Sequence, residues 1–224
     1  MKIICISDTH NQHQFLTDEL IDLYKLYPDA ILIHSGDACL AGTKKEAINF
    51  LEWFGNLPFE SKIFIPGNHD IAFDKAFSYI DYVELQEFAK NKSINLLIND
   101  VYNIKTLKIV ACSLIPFLSS WAFFADDSQR ERFFEYIDQD ADLIISHSPP
   151  YGCGDRASRG FGKFEHTGCK YLRNYIDRNN TPIVINGHIH EDFGLYNYKN
   201  TKVFNCSIMD ARYNVSNRIT IFDL

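Results

Sequence analysis

The sequence predicts an α/β chain in which much of the sheet is parallel, and two patterns support this prediction. Five short runs are apolar at every position instead of alternating, as expected for central strands that are covered on both faces. Segments with a helical spacing of apolar residues lie between several of these runs, and this order favours parallel pairing. The five runs are residues 3–6, 30–33, 63–65, 143–145 and 183–185.

Four segments carry apolar residues at the period of an α-helix. They are marked by Leu16, Leu20, Leu23, Tyr24 and Tyr27, then by Ala47, Phe50, Leu51 and Phe54, then by Phe133, Phe134 and Ile137, and last by Leu172 and Ile176. The C-terminal part differs, because residues 193–198, 202–206 and 218–222 have the pattern of short strands. "YKNT" at 198–201 is typical of a hairpin turn, so we expect antiparallel strands here.

Composition and charge restrict the class of protein. A length of 224 residues fits one domain over 1–224, and 46% hydrophobic residues is ordinary for a globular chain. A formal net charge of −7 argues against a long nucleic-acid partner, which requires a basic surface. The six scattered cysteines are interpreted as reduced thiols of a cytoplasmic protein. Neither a membrane span nor a signal-peptide pattern is found, so we expect no membrane partner.

Each of the five apolar runs is followed by polar residues that can bind a metal ion. The five motifs are "SDTH", "HSGD", "GNHD", "SHSPP" and "NGHIH". In open α/β sheets, ligands bind beyond the carboxyl ends of the strands, so these motifs should surround one crevice. Asp8 and His10 are two residues apart, a spacing that places both side chains on the same side of an extended backbone. The candidate ligands are Asp8, His10, Asp37, Asn68, His147, His188 and His190.

This set of donors predicts a site for two divalent metal ions. Seven donors exceed one tetrahedral site, and a carboxylate has two oxygens with which it can bridge two ions. Carboxylate, amide and imidazole donors without thiolate suit Mn, Fe, Zn or Co better than calcium. Each motif alone is also typical of an ordinary turn, so only the complete set indicates a metal site. His13, His34 and His166 are interpreted as packed or supporting residues.

Two irregular segments follow, at residues 113–127 and 148–164. The first is rich in aromatic residues, and Trp121 and Phe123 either line a pocket or pack in the interior. The second is rich in glycine, and a loop of this length in a compact domain is often functional. Its Arg156 and Arg159 are candidate substrate-binding residues that would neutralise a phosphate, with simple solvation of the loop as the alternative.

Together the motifs resemble those of the calcineurin-like metallophosphoesterase superfamily. The matching residues are Asp8-x-His10, Gly36-Asp37, Gly67-Asn68-His69-Asp70, His147 and Gly187-His188-x-His190. Segments 54–75, 146–155, 167–172 and 187–194 and the final "IFDL" are similar to the metallophosphoesterase-domain-containing phosphodiesterases, which are related to bacterial class III cyclic-nucleotide phosphodiesterases. Two departures are mild: Ser148 replaces a frequent glycine, and Cys39 is unusual.

The resemblance implies a fold and a set of ligand roles. The fold would be a four-layer α/β/β/α sandwich of two mixed sheets flanked by helices. Asp8, His10 and His190 would bind the first metal ion, and Asn68, His147 and His188 the second. Asp37 would bridge the two ions. All of these positions are filled, which indicates a competent site.

The expected reaction is hydrolysis of a small phosphodiester, including cyclic nucleotides, by a hydroxide held between two metal ions. His69 is the candidate catalytic acid for the leaving oxygen, because adjacent residues face different ways and Asn68 is a ligand. Asp70 is the candidate partner that would accept a hydrogen bond from the His69 ring and orient it. We expect His69→Ala to retain both ions and to lose most turnover.

Other functions remain open on the sequence alone. A phosphomonoesterase or nucleotide hydrolase of the same fold is the nearest alternative, and a nuclease is disfavoured by the acidic charge. A non-catalytic metal-binding scaffold, as the retromer subunit of the superfamily suggests, is opposed by the complete ligand set. The expected partner is a small phosphate-ester substrate. The sequence leaves the oligomeric state open, a homodimer included.

Overall fold

The computed structural model describes residues 1–104, 106–137 and 140–224, and these residues form two mixed β-sheets with helices on their outer faces. The α-helices are α1 (Thr17–Leu26), α2 (Lys44–Asn56), α3 (Tyr79–Asn91), α4 (Asp127–Tyr136) and α5 (Lys170–Arg178). The strands are β1 (Lys2–Ile6), β2 (Ile31–His34), β3 (Ser61–Phe64), β4 (Asn95–Leu96), β5 (Asp100–Ile104), β6 (Leu107–Cys112), β7 (Leu143–Ser146), β8 (Arg156–Ser158), β9 (Phe164–His166), β10 (Ile183–Asn186), β11 (Gly194–Tyr198), β12 (Thr201–Asn205) and β13 (Thr220–Asp223).

The first sheet has the strand order β13-β1-β2-β3-β4. Strands β1 to β4 are parallel, and β13 pairs antiparallel with β1 at the edge. Helix α2 begins at a capping box in which the Thr43 side chain accepts from the backbone N–H of Glu46, while the Glu46 carboxylate accepts from that of Thr43. The helical connections return each strand to the same direction, so β1, β2 and β3 end at one edge of the sheet.

The second sheet has the strand order β11-β12-β10-β7-β6-β5. Its four central strands are parallel, and the two edge strands are antiparallel to their neighbours. Strands β8 and β9 form a separate antiparallel ribbon inside the Gly-rich segment. The carboxyl ends of β7 and β10 therefore lie at a common edge, as β1 to β3 do in the first sheet.

Three apolar clusters hold the four layers together. The central cluster joins the two sheets and contains Ile3, Ile33 and Ile63 of the first sheet and Ile145 and Ile185 of the second. A second cluster packs the first sheet against α1, α2 and α3, and a third packs the second sheet against α4 and α5. This arrangement confirms the α/β prediction and the four layers that the resemblance implied.

The sequence predictions are confirmed for most of the elements near the site. All five apolar runs are strands, namely β1, β2, β3, β7 and β10, and the four predicted helices are α1, α2, α4 and α5. The three C-terminal strands are present, but β12 pairs parallel with β10 as well as antiparallel with β11, so the expectation of antiparallel pairing was only partly correct. The sequence did not predict α3, β4, β5, β6, β8 or β9.

Candidate metal centre

The polar motifs meet where the two sheets present their carboxyl ends. Asp8 and His10 follow β1, while Asp37 and Asn68 follow β2 and β3. From the second sheet, His147 follows β7, and His188 and His190 follow β10. The backbone N–H of His188 donates to the Asp8 carboxylate over 3.0 Å and so links the two sheets at this point.

The candidate ligands form clusters that share residues. Asp8, His10 and His190 form one cluster, and Asp37, His147 and His188 form another, each with its ligand atoms within 4.8 Å of one another. A third combination contains His10, Asp37 and His69. Asp37 lies between the two main clusters, because its Oδ2 is 3.3 Å from His147 Nε2 and 3.9 Å from His10 Nε2.

Asn68 belongs beside the second cluster. Its Oδ1 lies 3.1 Å from His147 Nε2, and the side chain is almost fully buried. In the first cluster, His10 Nε2 lies 3.3 Å from His190 Nε2, and His190 Nε2 lies 3.4 Å from Asp8 Oδ1. All seven predicted ligands are therefore brought together.

Three of the histidines are oriented in the same way, through their other ring nitrogen. His10 Nδ1 lies 3.0 Å from the Cys39 carbonyl, His147 Nδ1 lies 3.0 Å from the Ser35 carbonyl, and His190 Nδ1 lies 3.2 Å from the Asp210 carbonyl. A carbonyl accepts only, so each Nδ1 carries a proton and donates. In the neutral ring the Nε2 lone pair then faces the cluster and is free to bind a metal ion.

The carboxylates and the imidazoles of the centre stabilise each other's charged forms. Burial alone would lower the pKa of His147, but the adjacent Asp37 carboxylate outweighs burial and raises that pKa to about 9. Burial opposes ionisation of Asp37, but His147 and His10 hold its pKa well below the usual range. The pKa of Asp8 is likewise lowered, against burial, by His190. The chain thus places two buried carboxylates among imidazoles, a donor set that divalent metal ions fit.

His69 lies at the edge of the centre and not within either main cluster. Its backbone N–H donates to Asp37 Oδ1 over 2.8 Å, and its ring Nδ1 donates to the Leu40 carbonyl over 2.7 Å. The ring packs against Trp121 at 4.3 Å and edge-on against His10 at 4.6 Å between centroids. Trp121 therefore packs against His69 at the edge of the centre, whereas Phe123 is 6% exposed and belongs to the core against the first sheet.

The predicted hydrogen bond from the His69 ring to Asp70 is wrong. The Asp70 carboxylate instead accepts from the backbone N–H groups of Gly67 at 2.8 Å, Cys39 at 2.8 Å and Ala38 at 3.3 Å. It is fully buried, and burial together with the charge of Asp37 raises its pKa to about 6. Asp70 thus ties the loop after β3 to the loop after β2, and its role is to position Asp37 and Asn68.

The two predicted substrate-binding arginines are paired with carboxylates. The Arg156 guanidinium donates to Asp192 from Nε at 3.0 Å and from a terminal nitrogen at 2.8 Å, and Arg159 Nε donates to Glu165 at 2.7 Å. Arg156 and Arg159 lie in and beside the β8–β9 ribbon, and their contact with substrate remains a prediction.

The three histidines that were set aside are supporting residues. His34 accepts from the Gly36 N–H at Nδ1, so its Nε2 donates to Thr9 Oγ1 over 3.0 Å, and burial lowers its pKa to about 3. His13 packs against Phe50 and Trp53, and His166 pairs with Asp155.

Sequence reasoning missed two residues of the centre, Asp210 and Tyr213. Asp210 supplies the carbonyl that orients His190, and the Tyr213 ring packs against both His10 and His190. The segment "DARYN" at 210–214 has turn-forming residues at both ends, but this signal does not reveal what the turn contacts.

Comparison with known proteins agrees with this site. Residues 1–192 match the model of the calcineurin-like phosphoesterase family. Metallophosphoesterase domain-containing protein 1 of Homo sapiens is 31% identical over 242 aligned residues, which cover all of this chain and 71% of the human protein. This chain is therefore a member of the calcineurin-like metallophosphoesterase family and, by its site, a phosphoesterase hydrolase with buried His and Asp metal-binding clusters.

Solved structures share the fold at low sequence identity. Phosphopantetheinyl hydrolase from Mycobacterium tuberculosis superposes with a TM-score of 0.63 at 15% identity, covering 95% of this chain and 90% of the other. The structure of TT1561 of Thermus thermophilus gives a TM-score of 0.59 at 12% identity, covering 99% and 98%. Within the described residues, no helix is both long and apolar enough to span a membrane.

Proposed function

We propose that this chain hydrolyses small phosphodiesters and that it does so with two divalent ions, drawn from Mn, Fe, Zn or Co. The observation that carries the preference for diesters is the lining of the cleft. The cleft has a volume of about 460 Å³ and is lined by Asp37, Asn68, His69, Leu118, Ser158, His188, His190, Glu191, Ala211 and Tyr213. None of these described lining residues is Lys or Arg.

This lining suits a phosphate with a single negative charge. A phosphomonoester has a second pKa near 6 and carries close to two negative charges at neutral pH, whereas a diester carries one. Without a lysine or arginine to receive the second charge, and with Glu191 among the lining residues, a monoester is less favoured than a diester. Leu118, Ala211 and Tyr213 offer apolar surface to the organic group that the second ester bond carries.

Different residues of the chain would bind the ions and supply the proton. When bound, divalent ions supply positive charge for the phosphate oxygens and lower the pKa of water. Asp37 lies between the two clusters and can contact both ions. His69 is the residue placed to pass a proton to the leaving oxygen through Nε2, because its Nδ1 is held by the Leu40 carbonyl.

Matched esters test this proposal. Metal-free protein is reconstituted with Mn²⁺ and assayed with 4-nitrophenyl phosphate and with bis(4-nitrophenyl) phosphate, a monoester and a diester that have the same leaving group but different charge. We expect kcat/KM to be at least about tenfold higher for the singly charged substrate, a difference of about 1.4 kcal/mol. The 2′,3′- and 3′,5′-cyclic nucleotides then extend the panel to natural diesters.

Asp37→Asn is the control, since turnover that belongs to this centre should fall with it. A preference for the monoester would overturn the diesterase assignment in favour of a phosphomonoesterase. Absence of turnover on every ester, with the ions bound, would favour a non-catalytic scaffold.

A further inference from the structure

A turn near the C-terminus, residues 210–214, closes one side of the metal centre. The Asp210 carbonyl accepts from His190 Nδ1 at 3.2 Å. The Tyr213 ring lies 4.8 Å from the His10 ring and 5.0 Å from the His190 ring between centroids. We propose that Asp210 and Tyr213 are positioning residues that set the metal affinity of the Asp8–His10–His190 cluster alone. This inference rests on the proposed two-ion centre.

The turn is built to hold Tyr213 in one place. The Asp210 carboxylate accepts from the backbone N–H groups of Arg212 at 2.8 Å and Asn214 at 3.0 Å, and the Asp210 N–H donates to the Asn214 carbonyl at 2.9 Å. Gln12 fixes the turn from outside by donating to the Tyr213 carbonyl at 3.2 Å.

The backbone of Tyr213 is strained in this position. Its φ is 61°, in the left-handed region that a bulky side chain rarely adopts. Such strain persists only where the surrounding contacts hold it, and it is concentrated at functional sites. Here the result of the strain is that the ring reaches two histidines of one cluster.

The ring contacts of the turn are with the histidines of one cluster. His10 and His190 are the two imidazole members of the first cluster, and both rings pack on Tyr213. The second cluster is oriented by other groups: His147 donates to the Ser35 carbonyl, and its ring packs on that of His188 at 4.9 Å. Loss of the turn should therefore weaken one ion and spare the other.

The turn is also independent of the motifs that mark the family. The family match ends at residue 192, and residues 210–214 lie beyond it. The segment instead reaches the centre because Ile208 N–H donates to the Ser7 carbonyl at 2.9 Å, beside Asp8. Two chains with the same seven ligands can thus differ in the affinity of one ion.

The test is a titration of metal-free protein with Co²⁺, followed by visible absorption and by calorimetry. Tyr213→Gly removes the ring, and glycine accepts the positive φ without strain. We expect this variant to bind one of two Co²⁺ ions about 10- to 100-fold more weakly, the usual effect of losing a residue that orients a ligand. Tyr213→Phe keeps the ring and should bind both ions within about twofold of the wild type.

Two further variants test whether the effect on metal affinity is specific to the turn. Asp210→Ala should weaken the same ion, because the turn that carries the His190 acceptor loosens. Tyr136→Ala removes a tyrosine that is 85% exposed at the end of α4 and should leave both affinities unchanged. Equal weakening of both ions in Tyr213→Gly, or unchanged binding of both, overturns the proposal.

The number of Co²⁺ ions that the wild-type protein binds tests the proposed two-ion centre separately from the role of the turn. Wild-type protein that binds fewer than two Co²⁺ ions contradicts the two-ion centre, whatever the variants do. Loss of the remaining ion in His190→Ala but not in His188→Ala assigns it to the first cluster, and equal affinity in Tyr213→Gly and Tyr213→Phe then contradicts the role of the turn. The opposite pattern means that the first cluster binds no ion, which also overturns the proposal. If Tyr213→Gly does not fold, as read by circular dichroism, Asp210→Ala and Tyr213→Leu decide the same question.

Discussion

At the scale of single residues, four of the candidate metal ligands are held in conformations that they would not adopt alone. Asp8, His10, Asp37 and His188 have φ values of 54°, 38°, 56° and 70°, in the left-handed region. Such a conformation costs on the order of 1–3 kcal/mol at each residue. Asp8 and His10 therefore share a cluster through left-handed backbone and not through the extended backbone that the sequence suggested.

The strain is offset by hydrogen bonds between neighbouring loops. Asp8 N–H donates to the Gly36 carbonyl at 2.8 Å, and His10 N–H donates to the Asp37 carbonyl at 3.1 Å. The ligands are thus positioned by the chain itself before any ion binds.

His69→Ala separates catalysis from metal binding. We expect the variant to retain the metal content of the wild type, because the two main clusters do not include His69, and to lose about 10²- to 10⁴-fold in kcat, the usual contribution of a general acid. Metal analysis and steady-state kinetics on a diester check this. Loss of an ion would instead make His69 a ligand through the combination of His10, Asp37 and His69.

Metal affinity should rise with pH. The pKa of His147 is raised to about 9 in the metal-free chain, so its ring is largely protonated at neutral pH and must release a proton to bind an ion. Apparent affinity should therefore increase from pH 7 to about pH 9 and level off above it. Calorimetric titration with Co²⁺ in buffers of different ionisation enthalpy would measure the protons released, and pH-independent affinity would contradict the expectation.

The same proton has a consequence for stability. A pKa raised on folding contributes stability that is complete below the unfolded value near 6.5 and is lost as the pH rises through the folded value near 9. His147 should therefore stabilise the metal-free fold most at acidic to neutral pH.

At the scale of elements, the centre lies where the ends of β2, β3 and β7 come into close contact. Gly67 follows β3, and glycine is required there by close packing. A Cβ at Gly67 would lie 2.6 Å from His147 Nε2 and closer still to Asp37 Oδ1. The absence of a side chain is what lets β3 end against β2 and β7.

Gly67→Ala tests this close approach. We expect the added methyl group to displace His147 or Asp37, to remove the second ion and to abolish diesterase activity, with a cost to stability of about 1–3 kcal/mol from overpacking. Metal analysis and thermal unfolding measure both effects. Gly160→Ala is a control for metal content only, because its Cβ would meet no atom within 4 Å but its φ of 78° makes the substitution strained in itself.

At the scale of the whole molecule, each sheet supplies part of the centre and neither supplies all of it. Asp8, His10, Asp37 and Asn68 come from the first sheet, and His147, His188 and His190 come from the second. The apolar cluster between the sheets sets their separation, so the packing of the core also determines the geometry of the site. Bound ions would in turn join the two sheets at their carboxyl ends.

Metal removal should therefore lower the thermal stability of the whole domain. A ligand that binds only the folded state at 100 times its Kd adds about 2.7 kcal/mol, so chelation should lower Tm by several degrees. Differential scanning calorimetry with and without EDTA measures the shift. An unchanged Tm would show that the ions contribute little to the joining of the sheets.

The sequence missed α3, β4, β8 and β9 for identifiable reasons. Helix α3 buries only Leu85 and Ala89, while Tyr79 and Ile80 are exposed, so its apolar residues do not form one face. Strand β4 has two residues, and the β8–β9 ribbon has short strands in a Gly-rich segment with little apolar pattern. Such elements depend on contacts that are distant in the sequence.

The sequence by itself determined the parallel strands and the donor residues that follow them. Those features are local, because periodicity and motif spacing are properties of a few consecutive residues. Only the tertiary structure decided which donors share a cluster, that His69 is held by Leu40 and not by Asp70, and that Asp210 and Tyr213 close the centre. These relations join residues as distant in the sequence as His10 and Tyr213, and they are set by how the two sheets pack and not by any local pattern.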